Sequence, residues 1–323
     1  MHPDTPLLFA LDGSQAYAAR VAAHLGLSLA AHEERVYEDG ECKSRPLQAV
    51  GGRQVLVFHS LYGDARQSGH DKLCRLLFFC GALKDAGARR VQVVAPYLCY
   101  GRKERRTQEQ DPIITRYVAA LFEACGVDGL LTLEAHSEAA LDNAFRIPTR
   151  NLAGADLLAA HFAPRLGSDE LVAVSPDSGG IKRAEQFRRA LQQRLGRAVG
   201  SAYLVKQRIN DQVAEAHLVG DVSGRTVLIV DDLINTGSTL QHAAQACQAA
   251  GARRILAGAV HGLFTGDSAW LAQTPLEQLL VCDTVEPWRL PAEQLQQRVQ
   301  VLDTSLAVAT QLAEDYGLPR PAG

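Results

Sequence analysis

Short aliphatic runs, each closed by glycine or by a polar cluster, recur along the chain. Such runs, with no polar alternation, suit strands covered on both faces. They predict strands at 54–59, 90–95, 129–133, 171–175, 226–230, 254–260 and 278–282. Between them, apolar residues at helical spacing predict helices over 71–86, 112–125 and 181–195. Gly87, Gly126, Gly196 and Gly251 each follow a periodic run, where a left-handed residue closes a helix. Strands that alternate with helices predict an α/β fold built on mainly parallel sheets.

The pattern repeats. Gly52-Arg53-Gln54-Val55-Leu56-Val57-Phe58-His59-Ser60-Leu61 parallels Gly224-Arg225-Thr226-Val227-Leu228-Ile229-Val230-Asp231-Asp232-Leu233. Downstream, Ala86-Gly87-Ala88-Arg89-Arg90-Val91 parallels Ala250-Gly251-Ala252-Arg253-Arg254-Ile255. Two matches in the same order predict two similar halves, residues 1–147 and 148–323, with a hinge near 147–151. The last helix is free to pack back on the N-terminal half, and residues 317–323 are expected to fray.

Composition narrows the class. The 323 residues are 47% hydrophobic and 21% charged, with a net charge of −3, which argues against a nucleic-acid or membrane surface. No apolar run approaches the ~20 residues that span a bilayer, and the N-terminus lacks the features of a signal peptide. Seven cysteines, an odd number without Cys-x-x-Cys spacing, fit reduced thiols in the cytoplasm.

The chemistry concentrates where the run 226–230 meets Asp231 and Asp232, followed by Asn235-Thr236-Gly237-Ser238-Thr239 and a helix-like segment. A small hydroxyl-rich turn at a helix N-terminus suits a phosphate. The acids would repel that phosphate, so they suit sugar hydroxyls or a cation. Together the two features fit a sugar phosphate, whereas an ordinary solvated loop needs no acid pair. The first half carries His59-Ser60 at the matching place, which predicts one sugar site per chain.

Other segments leave alternatives open. Asp177-Ser178-Gly179-Gly180 is either a ligand turn, with Asp177 facing a sugar or a magnesium ion, or a tight turn capped by Asp177. Arg102, Lys103, Arg105 and Arg106 follow a strand and either grip a polyphosphate or form a solvated face. His136 is a competent metal or phosphate partner, or a structural histidine. Lys206 and Arg208, two apart on an extended segment, point the same way. Neither Gly-x-x-x-x-Gly-Lys-Ser/Thr nor Gly-x-Gly-x-x-Gly is present, so ATP chemistry here requires a different cradle.

In order along the chain, these segments resemble the ribose-phosphate pyrophosphokinase family, within the type I phosphoribosyltransferase superfamily. The resemblance runs from Leu7 to Ala313 and includes Tyr37-Glu38-Asp39-Gly40-Glu41, Pro96-Tyr97-Leu98-Cys99-Tyr100-Gly101-Arg102, Pro112-Ile113, Phe145-Arg146-Ile147-Pro148 and Val174-Ser175-Pro176-Asp177 with Arg183. It implies two phosphoribosyltransferase-like domains and transfer of the diphosphate of ATP to ribose 5-phosphate, giving 5-phosphoribosyl 1-diphosphate (PRPP) and AMP for nucleotide biosynthesis. It implies that Asp39, Glu41, Arg102, Lys103, Glu104, Arg105 and His136 contact ATP. Asp177, Asp231, Asp232, Asn235, Thr236, Gly237, Ser238 and Thr239 would hold ribose 5-phosphate. Lys206 and Arg208 would be catalytic, and Mg²⁺ would lie near His136 and Asp177. A homo-oligomer, a dimer or hexamer, would share the nucleotide site through Asp39 and Glu41.

The chain departs from the family pattern at Lys103, Glu104, Glu134, Ala135, Ser178, Asn235 and Ser238, which bear on nucleotide preference and turnover. Two rival readings are a PRPP-consuming phosphoribosyltransferase, which accounts only for the acid-and-turn segment, and a catalytically weak regulatory paralogue.

Overall fold

The computed structural model describes residues 5–209 and 212–321, with the side chains of 206–209 and 212–216 outside that description. It divides into two compact units, Met1–Leu152 with Thr304–Gly323, and Ala153–Asp303.

In the first unit β1 (Leu7–Ala10) leads to α1 (Gln15–His24) and a separate antiparallel hairpin, β2 (His32–Val36) and β3 (Cys42–Pro46). There follow β4 (Gln54–Phe58), α2 (Gly69–Asp85), β5 (Arg90–Ala95), α3 (Ile114–Ala124), β6 (Gly129–Leu133), α4 (Glu138–Ala144) and β7 (Thr149–Leu152). The sheet is parallel throughout, in the order β1-β4-β5-β6-β7. Strand β6 is buried along its whole length, and β4 and β5 along all but the first residue, as strands covered on both faces must be. Val55, Val57, Val91 and Val93 pack with Leu73, Leu76, Leu83 and Phe122 of the helices in one core.

The second unit begins with α5 (Gly154–Phe162) and β8 (Leu171–Ser175). It continues through α6 (Ile181–Leu195), β9 (Gly200–Ile209), β10 (Gln212–Val219), β11 (Thr226–Ile234), α7 (Ser238–Ala249) and β12 (Arg254–Gly262). It closes with α8 (Trp270–Gln273), β13 (Gln278–Cys282), α9 (Ala292–Gln297) and β14 (Val299–Leu302). The strand order is β10-β9-β8-β11-β12-β13-β14, parallel except for β10. The chain leaves β8 for β9 on one side and later adds β11 on the other, which makes β8/β11 the switch point, where open α/β sheets bind ligands.

The final helix α10 (Ser305–Tyr316) belongs to the first unit. It packs on α1, and its Tyr316 Oη donates to Oε1 of Gln92, a buried polar residue of β5, at 2.9 Å. The first unit reaches past the expected 147/148 boundary because β7 completes its sheet. No helix among the described residues is long and apolar enough to cross a membrane.

The internal repeat is reproduced bond for bond. Gly52 N–H donates to Gly87 C=O at 2.8 Å, and Gly224 N–H to Gly251 C=O at 2.8 Å. Arg89 N–H donates to Arg53 C=O at 2.8 Å, and Arg253 N–H to Arg225 C=O at 2.9 Å. The four glycines predicted to close helices all have positive φ.

Strand bounds also change, with the predicted strand 54–59 ending at Phe58 and the predicted strand 254–260 reaching Gly262. The strand predicted at 226–230 runs on to Ile234, so the acid pair lies within β11 rather than at its exit. The cause is β12, which stays paired as far as Ile234↔Gly262, whereas β8 covers only Thr226 to Ile229. The polar hairpin β2/β3 lies outside the predicted set because its sequence has no apolar alternation.

His59, the residue after β4, is fully buried, and burial first, then Lys72 and Arg75, push its imidazole down to about 3. In the unfolded chain the same ring titrates near 6.5 and takes up a proton that the folded ring refuses. The folded state should therefore lose stability as pH falls from 6.5 towards about 3. Denaturant unfolding across that window should show the slope, and His59→Asn should flatten it. An unchanged slope would assign acid sensitivity to other groups.

Candidate active site

The switch point of the second unit gathers the residues expected to hold a sugar phosphate. Strand β8 ends at Ser175, whose Oγ donates to the Asp177 carbonyl at 2.6 Å. Asp177 Oδ1 accepts from Gly179 N–H (2.9 Å) and Gly180 N–H (3.1 Å), which leaves Oδ2 as its ligand-capable oxygen. Asp177 thus shapes the tight turn into α6, although the N-cap of that helix is Gly180 and no side chain caps it. A methyl group at Gly180 would lie 2.7 Å from Ser175 Oγ, so only glycine lets the chain pass this closely.

Asp231 and Asp232 follow on the part of β11 that β8 no longer covers. Arg183, in the first turn of α6, places Nη1 3.4 Å from Asp231 Oδ1 and 3.3 Å from Asp232 Oδ1. Asp232 N–H also donates to Asp231 Oδ1 at 2.9 Å. The Arg183 and Asp232 side chains are only 14% and 8% exposed, so solvent screens this triad weakly. Burial, then the charge of Asp232 and its hydrogen bond, raises Asp231 well above the usual carboxylate range, while Arg183 opposes that rise.

The turn 235–239 is pinned from beneath. Thr265 Oγ1 donates to Asn235 Oδ1 at 2.6 Å, and Thr265 N–H donates to the Asn235 carbonyl at 2.8 Å. Phe264, beside Thr265, has φ +47°, a rare conformation for a non-glycine residue. Gly237 caps α7 at φ +87°, and a Cβ there would lie 2.1 Å from Trp270 Cε2. Thr236 and Ser238 are exposed with their hydroxyls 3.1 Å apart, and Thr239 is partly buried. The first-turn N–H groups of α7, unpaired within a helix by geometry, follow this turn, and such a helix start favours an anion.

In the first unit, Arg102, Lys103 and Arg105 are exposed after β5, and His136 is exposed after β6. The two strands are parallel neighbours, so Arg102 and His136 lie along one carboxyl edge. Glu104 turns inward at 12% exposure, with Oε2 lacking a hydrogen-bond partner, and pairs with Arg105 at 3.6 Å. Tyr100 and Glu134, each two residues before an expected ATP contact, have φ of +61° and +40°. Such strain collects at functional edges. Asp39 and Glu41 sit exposed in the β2–β3 turn, where Glu41 N–H donates to Asp39 Oδ1 at 3.0 Å. The backbone of β9 carries Lys206 and Arg208, whose side chains lie outside the described residues.

Thr265 and Trp270 had no signal in the pattern, because each acts through a contact distant in sequence. Arg183 left one trace, a cation three residues into the helix that follows a Gly-Gly turn. Among the described residues, no group of three or more His, Cys, Asp or Glu converges as a metal set.

Residues 7–126 match the N-terminal domain of ribose phosphate pyrophosphokinase, and residues 171–314 match the phosphoribosyl synthetase-associated domain. Ribose-phosphate pyrophosphokinase 1 of Streptococcus pyogenes is 32% identical over 307 residues, 94% of this chain and 92% of that protein. The Streptococcus mutans protein of the same name is 34% identical over 299 residues, 91% and 88% of the two chains. A crystal structure of phosphoribosylpyrophosphate synthetase from Mycobacterium smegmatis aligns with a TM-score of 0.86 at 26% identity, covering 97% of this chain and 99% of that one.

Removing the guanidinium tests the electrostatics of the acid pair. In Arg183→Met the charge that opposes the rise of Asp231 is gone, so the pair should hold its proton to higher pH than in the unaltered chain. Carboxyl infrared bands followed against pH report this, and superimposable titrations would show that Arg183 does not govern the pair.

Proposed function

The chain belongs to the ribose-phosphate pyrophosphokinase family, and from that premise we propose that it transfers the diphosphate of ATP to the C1 hydroxyl of ribose 5-phosphate, giving PRPP and AMP for nucleotide biosynthesis. The observation that carries this reading is the acid pair beside a small hydroxyl-bearing turn at the switch point of a mainly parallel sheet. Asp231 and Asp232 receive the ribose hydroxyls, and residues 235–239 receive the 5′-phosphate. Arg102, Lys103 and Arg105 face the ATP phosphates.

The oxygen of the C1 hydroxyl attacks the β-phosphorus and its proton passes to solvent, the bond from that phosphorus to the oxygen bridging the α-phosphate breaks, and AMP leaves with that oxygen. Charge builds on the phosphoryl oxygens, so the protein contributes positioning and electrostatic stabilisation. Lys206 and Arg208 supply cations to the transferring group, and Asp231 and Asp232 hold the sugar against it.

The hard oxygen donors of the second unit fit Mg²⁺, which Asp177 Oδ2 would ligate, and in the first unit the exposed His136 would be a candidate ligand. When bound, the ion neutralises phosphate charge. Asp39 and Glu41, exposed on a hairpin, suit an adenine held by a second copy in a homo-oligomer. Seven unpaired cysteines fit the cytoplasm. A PRPP-consuming transferase would leave the match over 7–126 without a counterpart.

Incubation with ATP, ribose 5-phosphate and Mg²⁺ should release AMP in step with PRPP, and accumulation of ADP would overturn the reading. Lys206→Ala should lower kcat on the order of a hundredfold while KM for ribose 5-phosphate changes little. Near-normal kcat would remove Lys206 from the mechanism.

A further inference from the structure

The basic segment after β5 is not a loose loop. Its first residues run through Tyr100, whose φ of +61° is rare for a side chain of that size. Such a conformation persists only where neighbours hold it. Three contacts do so. The Tyr100 phenol hydrogen-bonds to Nδ1 of His70, in the first turn of α2, and the two rings lie 5.6 Å apart. Thr115 Oγ1, from the first turn of α3, donates to the Tyr100 carbonyl at 3.0 Å. Lys103 N–H donates to the same carbonyl at 3.0 Å, closing a turn around Arg102.

The start of α2 is fixed in its turn. Ser68 and Asp71 form a reciprocal cap there. A methyl group at Gly69 would meet the Leu61 carbonyl at 3.2 Å and Cys99 Cβ at 3.9 Å, so the helix lies directly against the segment. Burial, then Cys99 and Cys74, raises the Tyr100 phenol above its ordinary range, which keeps it protonated as a donor.

We propose that His70 and Tyr100 form a clamp that sets where Arg102 and Lys103 stand, making both positioning residues for the nucleotide. The inference rests on the reading that this segment faces ATP. Neither side chain touches the reacting atoms. The clamp acts by fixing the left-handed residue from which the turn 100–103 hangs.

The test uses the full-length chain and five variants: Tyr100→Phe, His70→Ala, the double variant, His70→Gln and Arg102→Ala. Tyr100→Phe and His70→Ala should each raise KM for ATP about tenfold, the scale of one lost hydrogen bond. KM for ribose 5-phosphate and the thermal midpoint should stay near their original values. The double variant should be no worse than either single one, because the two side chains act as one unit. His70→Gln, whose amide can still accept from the phenol, should recover most of the loss.

Additive losses in the double variant would overturn the clamp. So would equal rises in KM for both substrates together with a fall in thermal midpoint. Arg102→Ala separates this failure from failure of the underlying reading. If it raises KM for ATP while the clamp variants do not, the clamp alone falls. If it leaves KM for ATP unchanged, the segment does not face the nucleotide, and both fall.

Discussion

Two carboxylates on successive residues of a strand repel one another in a weakly solvated place unless a cation or a shared proton offsets the charge. The second unit is organised around that constraint. Arg183 answers it with one nitrogen held 3.4 and 3.3 Å from the two acids. The guanidinium reaches them because α6 starts right after β8, and α6 starts there because Asp177 and Gly180 tighten the preceding turn. The acids lie beyond the last β8 pairing at Ile229, on the part of β11 that β12 alone carries onward. Strand order, turn chemistry and charge therefore all bear on one point at the sheet's carboxyl edge.

The first unit shows what the same scaffold does without that constraint. Its repeat of the Gly-Arg entry and the Ala-Gly-Ala-Arg-Arg exit keeps the same backbone bonds. At the place of the acids stands His59, buried and neutral, with Nδ1 3.3 Å from Ser14 Oγ. Lys72 is sealed in the core, 2.7 Å from Asp64 and 3.9 Å from the Tyr62 ring centroid. Its charge is matched by a neighbouring side chain. The two units thus keep one frame and differ where a ligand would be held.

Much of this was legible in the sequence because it is local. The strands 90–95, 129–133, 171–175 and 278–282 are short, mainly apolar runs, and each forms with those bounds. The acid pair and the turn 235–239 lie side by side in the chain, so spacing alone displayed them. What stayed hidden is non-local or conformational. Arg183 acts on Asp231 and Asp232, 48 and 49 positions away. The hairpin 32–46 and the strand Thr149–Leu152 are too polar to read as strands. The left-handed turns at Tyr100, Glu134 and Phe264 occur at residues with no preference for them, so only tertiary contacts could impose them.

The chain has two tryptophans, and they stand in opposite environments. Trp270 is 7% exposed and lies against the turn at Gly237, whereas Trp288 is 39% exposed. Indole emission follows the polarity and the quenching groups around the ring. The packing that denies Gly237 a side chain therefore also gives the turn a built-in fluorophore. A soluble quencher suppresses Trp288 first, and the residual emission reports on the floor of the turn without any added label.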